Sequence, residues 1–221
     1  MTRPATPETA LAELLAGNHR FVTGVRIHPH QDAEHRAKLA QAQRPFAVVF
    51  GCSDSRLAAE IIFDRGLGDL FVVRTAGHIV GPEVLSSIEY GVSVLGAPLV
   101  VVLGHDSCGA VLATMDTIAG RIRPDQGLRA IIDRVTPSVE TAAARGVRDA
   151  DGVAPVHVER TMDMITEPGT ALAAAVAAGT CGIVGLTYRL TDGRVTVAGS
   201  RPRTLAESRL VTGTTTVDAV G

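Results

Sequence analysis

Short apolar runs alternate with amphipathic segments along most of the chain. Three runs that end at glycine or polar turns predict strands, at residues 46–50, 70–73 and 99–103. Segments 57–64 and 82–95 predict the helices between them. Strands that are apolar on both faces and joined by helices belong to a parallel sheet with helices on its sides. We therefore predict an α/β fold: a central, mainly parallel β-sheet flanked by helices.

Both ends of the chain add elements to this alternation. Apolar residues at helical spacing predict an N-terminal helix over residues 6–21, and the polar, histidine-rich stretch 26–35 predicts an exposed arm. We group these as residues 1–36, an N-terminal helical arm. Near the other end, Asp192-Gly193 predicts the turn of a C-terminal edge hairpin between strands 181–190 and 194–198. Residues 201–221 lack periodicity and predict a mobile tail.

The stretch between Gly109 and this hairpin is predicted to be helical. Four prolines are expected to break it, at Pro124, Pro137, Pro155 and Pro168, before the Ala-rich segment 170–178. No internal repeat or linker interrupts the chain, so residues 1–221 are predicted to form a single domain.

Composition excludes several classes of partner. The 221 residues are 46% hydrophobic, enough for a sizeable core. Lys and Arg number 21 against 23 Asp and Glu, without a basic block, so there is no electrostatic case for nucleic acid. The apolar runs are far shorter than the roughly 20 residues of a membrane span, and the polar first nine residues lack the core of a signal peptide. We expect a cytoplasmic protein without a membrane partner.

Polar side chains cluster directly after two of the predicted strands. One strand ends in Cys52-Ser53-Asp54-Ser55-Arg56 and another in His105-Asp106-Ser107-Cys108-Gly109. Ligands of open parallel sheets bind beyond the carboxyl ends of the strands, so these clusters converge if the two strands are neighbours. Two thiolates and one imidazole are a zinc-ligand set, and three protein ligands with a fourth position open are typical of catalytic zinc.

A plainer interpretation exists for each cysteine. Taken one at a time, Cys52 and Cys108 would be ordinary buried hydrophobes, but their pairing with His105 at strand ends favours a metal site. Cys181 lies inside an apolar strand, poorly placed to close that site. Three cysteines are an odd number, which argues against a disulfide framework. The other histidines are predicted to be solvated or capping residues: His19, His28, His30, His35, His78 and His157.

Asp54 and Arg56 are two positions apart, so their side chains can emerge on one side. The guanidinium can hold the carboxylate through two parallel hydrogen bonds and favour its ionised form. The alternative is a surface ion pair of little energetic value. Because the pair follows a proposed ligand, a free Asp54 could also fill the fourth coordination position of the metal. Arg56 would then decide whether that position is open.

The two signatures, with Cys52 and His105 53 positions apart, resemble those of the β-class carbonic anhydrases. Weaker similarity reaches from residues 17–21 to 183–188, so the resemblance covers most of the chain. It implies reversible hydration of CO2 to bicarbonate and a proton by zinc-bound hydroxide. Zinc would be bound by Cys52, His105 and Cys108, with Asp54 and Arg56 as the catalytic, orienting dyad.

The resemblance also implies a homo-oligomer, dimer or tetramer, with the active site at the subunit interface. Family members place a Gln, a Phe and a Tyr around the substrate, and by position these are Gln43, Phe71 and Tyr90; Gly109, which closes the second signature, is counted with them. The N-terminal helix and the arm are expected to pack on a neighbouring subunit, because an apolar helix needs a surface to bury its face.

Three points stay open. Two thiolates cancel the charge of zinc, so its water should be less acidic than at a three-histidine site unless Asp54 and nearby donors compensate. Hydrolysis of carbonyl sulfide or carbon disulfide is a rival reaction on the same scaffold. A non-catalytic zinc-binding or scaffold protein, with Asp54 permanently on the metal, is a rival from another class.

Overall fold

One five-stranded sheet organises the computed structural model, which describes residues 3–205. Its strands are β1 (Ala47–Cys52), β2 (Leu70–Thr75), β3 (Leu99–His105), β4 (Gly182–Tyr188) and β5 (Val195–Arg201). Their order across the sheet is β2-β1-β3-β4-β5. The first four are parallel, and β5 runs antiparallel to β4. The predicted α/β class and edge hairpin are therefore confirmed.

Helices cover both faces of this sheet. They are α1 (Pro7–Thr23), α2 (Ala33–Leu39), α3 (Ala59–Ile62), α4 (Pro82–Ser93), α5 (Gly109–Ile118), α6 (Gln126–Ala144), α7 (Ala150–Ile165) and α8 (Ala171–Ala177). A short 3-10 turn, Ala76–His78, follows β2. Of the helix predicted over residues 57–64, only the four residues of α3 are helical.

The two central strands carry the core. Every residue of β1 and β3 is buried, because helices pack on both sides of them. Successive side chains alternate between two apolar clusters, with Val49 and Val101 in one and Val48 and Val100 in the other. This explains why the sequence shows continuous apolar runs rather than alternation.

The order of connections places a crevice between β1 and β3. The chain leaves β1 for β2 on one side and then returns past β1 to form β3 on the other. Ligand sites of open α/β sheets lie at this kind of reversal, beyond the carboxyl ends of the strands. β1 and β3 pair directly, with Gly51 opposite Leu103. The condition for convergence of the two polar clusters is thus met.

α1 is a well-capped helix that packs on its own chain. Thr6 and Thr9 form a reciprocal capping box at its start, and Gly24 ends it with a φ of 75°. Leu11 and Leu14 are fully buried within the single chain. The reason given for expecting a neighbouring subunit here does not hold, since the apolar face of α1 is already buried in its own chain; packing of the helix and the arm on a neighbour stays a prediction.

The arm that follows α1 is fastened rather than free. The buried carboxylate of Asp64 accepts hydrogen bonds from the backbone N–H groups of Ile27 and His28 and from the guanidinium of Arg20. His30 pairs with Asp69 at 2.7 Å. Residues 33–39 of the same region form α2, which the sequence analysis did not predict, capped by Asp32.

Two of the four prolines do not break helices. Pro137 lies inside α6 and Pro155 inside α7. Each helix buries apolar residues on both sides of its proline, and this packing outweighs the hydrogen bond that an interior proline removes. Pro124 and Pro168 do fall between helices, as predicted.

The C-terminal hairpin closes the edge of the sheet at β5. Of the tail predicted to be mobile, residues up to 205 are described, and Leu205 is 2% exposed and belongs to the same core cluster as Leu11 and Val184. The expectation is wrong for these residues; the remainder, 206–221, lies outside the described residues. Within residues 3–205, no helix is both long enough and apolar enough to cross a lipid bilayer.

Candidate metal centre

Three metal-ligating side chains meet at the carboxyl ends of β1 and β3. Cys52 ends β1, His105 ends β3, and Cys108 caps the start of α5. One ligand atom from each lies within 4.8 Å of the others. All three residues are at least 95% buried. The sequence-predicted ligands are therefore brought together, and Cys181, which precedes β4 in a separate apolar cluster, is not among them.

The tautomer of His105 is set by its neighbour. Its Nδ1 lies 2.7 Å from the carbonyl oxygen of Asp106, which can only accept, so Nδ1 carries the hydrogen. This leaves the lone pair on Nε2, a buried atom without a hydrogen-bond partner in residues 3–205. An orphaned buried nitrogen is costly unless it ligates a metal. Its orientation is typical of a metal-bound histidine.

The two thiols carry opposite pKa shifts because they are in contact. The hydrogen bond from Cys108, with backbone N–H groups and against the effect of burial, lowers the pKa of Cys52. The same contact with the Cys52 thiolate, together with burial, raises the pKa of Cys108. Two anionic sulfurs so close repel each other, and a divalent cation between them removes that repulsion. The donor set thus fits a soft divalent metal such as zinc.

Asp54 and Arg56 form the predicted ion pair, joined by two parallel side-chain hydrogen bonds. Arg56 donates from Nε to Oδ1 at 2.9 Å and from Nη2 to Oδ2 at 2.6 Å. These hydrogen bonds hold the pKa of the Asp54 carboxyl well below its usual range, against the effect of burial. Arg74, on β2, bonds the backbone carbonyls of Cys52 and Asp54 and fixes the loop that carries the pair.

The second ligand loop is held from two sides. The carboxylate of Asp106 accepts from the backbone N–H of Leu190, at the β4–β5 turn. Asp151, on α7, accepts from the backbone N–H of Ser107 at 2.7 Å. Ser107 has a φ of 50°, an uncommon conformation that these contacts hold in place. Asp151 gave no signal in the sequence, because it lies more than 40 positions away.

Two histidines expected to be solvated or capping are buried behind the metal centre. His78 is 2% exposed and His157 is 1% exposed, and their rings pack with centroids 4.3 Å apart. His157 contacts the turn after β2, where Gly77 donates its N–H to the sulfur of Cys52 at 3.3 Å. The expectation was wrong because burial of isolated histidines depends on packing between distant elements. A signal did exist for His78, since it follows a strand end.

The predicted substrate residues do not surround the metal centre of their own chain. Gln43 precedes β1 and is exposed, at the opposite end of that strand from Cys52. Phe71 pairs with Val48, four residues from the end of β1, and its ring lies 6.1 Å from that of Tyr90. Only Gly109 lies at the site, exposed at the start of α5.

Comparison with known proteins points to one family. The family model described as carbonic anhydrase matches residues 47–195. The chain is 53% identical over 191 residues to a carbonic anhydrase of Mycolicibacterium smegmatis, covering 86% of this chain and 93% of that protein. It is 50% identical over 188 residues to carbonic anhydrase 2 of Mycobacterium tuberculosis, covering 85% and 91%.

A solved structure has the same fold. A tetrameric β-carbonic anhydrase of the filamentous ascomycete Sordaria macrospora superposes with a TM-score of 0.67 at 24% identity. The alignment covers 85% of this chain and 95% of that one.

Removal of one ligand should empty the metal centre without unfolding the chain. We expect the purified protein to hold one metal ion per chain, and Cys108→Ala or Cys52→Ser to lose most of it, because two remaining ligands do not hold a divalent ion. Metal content by mass spectrometry, beside circular dichroism, is the measurement. Cys181→Ala is the matched control: a buried cysteine outside the cluster, it should retain the full metal content. Full metal content in Cys108→Ala would refute the ligand set.

Proposed function

The chain belongs to the β class of the carbonic anhydrase family, which hydrates CO2 reversibly to bicarbonate and a proton, and we propose that it does so at a zinc ion held by Cys52, His105 and Cys108. The observation that carries this proposal is the convergence of two sulfurs on the unpartnered Nε2 of His105. When bound, zinc supplies a Lewis acid that makes water a nucleophile near neutral pH.

Asp54 supplies the hydrogen-bond acceptor for the nucleophile. Its carboxylate stays ionised at any ordinary assay pH, because the guanidinium of Arg56 stabilises the charged form. An ionised carboxylate accepts a hydrogen bond from the attacking oxygen and orients it toward the CO2 carbon. Nε and Nη2 of Arg56 each donate a hydrogen bond to one oxygen of the Asp54 carboxylate, and these two bonds keep Asp54 from turning toward the metal.

The approach to the metal suits a small neutral substrate. The carboxyl ends of β1 and β3, which carry Cys52 and His105, are buried. CO2 carries no charge and needs little desolvation, so an apolar wall with few polar groups binds it well enough. Gly109 adds no side chain at the start of α5, where space is open around its Cα.

A lysine at position 56 should not replace the arginine. We expect Arg56→Lys to hydrate CO2 roughly ten to a hundred times more slowly, the usual cost of losing a residue that orients groups at a metal site. A single ammonium cannot make the two parallel hydrogen bonds. Stopped-flow hydration assays and metal analysis test this, since zinc should stay bound while the rate falls. In a crystal structure of this variant, Asp54 should coordinate the metal.

The matched control is another exposed Arg–Asp pair. Arg121 binds Asp116 at 2.6 Å near the end of α5 and does not contact the metal ligands. Arg121→Lys should leave the hydration rate unchanged. An undiminished rate in Arg56→Lys would show that the orienting role is wrong.

A homo-oligomer would complete the site. Tyr90 is 46% exposed beside Phe71, an aromatic pair at the surface of a chain that is only 3% aromatic. Exposed apolar patches commonly mark interfaces. We assign Gln43, Phe71 and Tyr90 to the metal centre of a neighbouring subunit, in a dimer or tetramer. The tetrameric assembly of the Sordaria macrospora enzyme supports this assignment.

Complementation between two inactive variants tests the shared site. Cys108→Ala lacks a metal ligand and Gln43→Ala lacks the amide that we assign to the neighbour. In a mixed dimer, the Gln43→Ala chain keeps its metal and receives Gln43 from its partner, so about half of the wild-type activity should return. Mixed oligomers purified through two affinity tags provide the measurement. Activity no higher than the average of the parent variants, or a stable active monomer in sedimentation, would contradict the assignment.

We place the enzyme in the cytoplasm. Its three cysteines are buried free thiols, and two of them must stay reduced to bind a metal. A reducing compartment maintains them in that state.

A further inference from the structure

A line of hydrogen bonds runs through the protein interior to one metal ligand. The hydroxyl of Ser138, on α6, lies 2.8 Å from Nδ1 of His157, on α7. Nε2 of the same ring lies 2.8 Å from the carbonyl oxygen of Gly77. The N–H of Gly77 in turn donates to Sγ of Cys52 at 3.3 Å. Three distant parts of the chain are thereby connected to the metal centre.

The direction of each hydrogen bond follows from the chemistry of the partners. A carbonyl oxygen only accepts, so Nε2 of His157 carries the hydrogen that it donates to Gly77. Nδ1 is then the acceptor and takes the hydroxyl hydrogen of Ser138. The imidazole is neutral in this arrangement, and burial lowers the pKa of His157, which supports that form. The Gly77 carbonyl therefore fixes the tautomer, and the hydroxyl of Ser138 supports it by donating to Nδ1.

Gly77 needs an external restraint. Its φ is 63°, and a Cβ would lie 2.7 Å from that of Ala110, so only glycine fits here. Glycine is also the residue whose backbone turns most freely. The carbonyl held by His157 and the N–H held against Cys52 belong to adjacent peptides joined at the Gly77 Cα. Anchoring the first peptide limits rotation of the second.

The ring of His157 is itself held in place. It packs against His78, with centroids 4.3 Å apart, and His78 makes no hydrogen bond of its own within residues 3–205. His78 therefore does not compete for Ser138 or for the Gly77 carbonyl. Packing on His78 fixes the position of the His157 ring, and its hydrogen bonds to Ser138 and Gly77 fix the orientation of the ring.

We propose that His157 is a positioning residue for the metal centre, which keeps the N–H of Gly77 on the sulfur of Cys52 and so limits the charge that this thiolate donates to the metal. An N–H···S hydrogen bond draws electron density from the sulfur. Two thiolates would otherwise cancel the charge of a divalent ion, and a weaker donor leaves the ion a better Lewis acid. The inference rests on the proposed metal-dependent function.

Asparagine and glutamine at position 157 separate the two hydrogen bonds. The amide of Asn lies near the place of Nδ1, so His157→Asn keeps a partner for Ser138 but does not reach Gly77. The longer Gln places its amide near Nε2, so His157→Gln keeps the donor to Gly77. Both are uncharged polar side chains that fit a buried site, which makes them a matched pair.

Cobalt(II) loaded into the protein reports directly on the thiolates. In His157→Asn, the sulfur-to-cobalt charge-transfer band should move to longer wavelength, because a sulfur without its hydrogen bond gives up electrons more easily. CO2 hydration by the zinc form should fall about tenfold. His157→Gln should keep the wild-type band and stay near the wild-type rate.

Each outcome has one meaning. A wild-type band position in folded His157→Asn, or equal displacement in both variants, would overturn the positioning role while leaving the metal centre intact. Absence of any charge-transfer band in the wild-type protein would instead overturn the proposed metal centre. If His157→Asn does not fold, Ser138→Ala serves in its place: it removes the hydrogen bond that holds Nδ1 of His157, loosens the ring, and should shift the band the same way, less far. An unmoved band there would also contradict the inference.

Discussion

The pairing of β1 with β3, which brings two thiols and one imidazole to one end of the sheet, is the constraint on which the rest of the site depends. Cys52 and Cys108 share one site with the Nε2 of His105, inside 4.8 Å, in surroundings from which water is mostly excluded. The hydrogen bond between the thiols lowers the pKa of Cys52 and raises that of Cys108. A divalent cation stabilises the ionised form of both sulfurs, and this stabilisation contributes to metal binding. The metal centre is thus a consequence of where the fold ends its two central strands.

Close packing behind the sheet makes the arrangement rigid. A Cβ on Gly104 or on Gly185 would come within 2.5 Å of Val158, so α7 approaches β3 and β4 more closely than side chains there would allow. That approach brings His157 to Gly77 and Asp151 to the loop after β3. Orientation of metal ligands commonly depends on such outer contacts. These two contacts come from α7, a helix that provides no ligand.

Much of the site was predictable because it is local in sequence. Both clusters directly follow apolar runs, and a parallel sheet with neighbouring strands brings such ends together, so the ligands and the Asp54–Arg56 pair could be identified from the chain alone. His157 could not, because its role depends on how α7 lies against a turn 80 positions earlier. The prediction that Pro137 and Pro155 break helices failed for the same reason, because packing of a helix face outweighs the local effect of one proline. For α2 a local signal is present in the sequence, because Asp32 is a favoured N-cap residue directly before the helix.

Stopped-flow hydration of CO2, before and after removal of the metal, tests the central claim most directly. The account predicts that the purified protein accelerates hydration, that a chelator abolishes the acceleration while the fold is retained, and that one equivalent of zinc per chain restores it. A fully zinc-loaded protein that hydrates CO2 no faster than buffer would contradict it. That result would make Cys52, His105 and Cys108 the ligands of a structural rather than a catalytic metal.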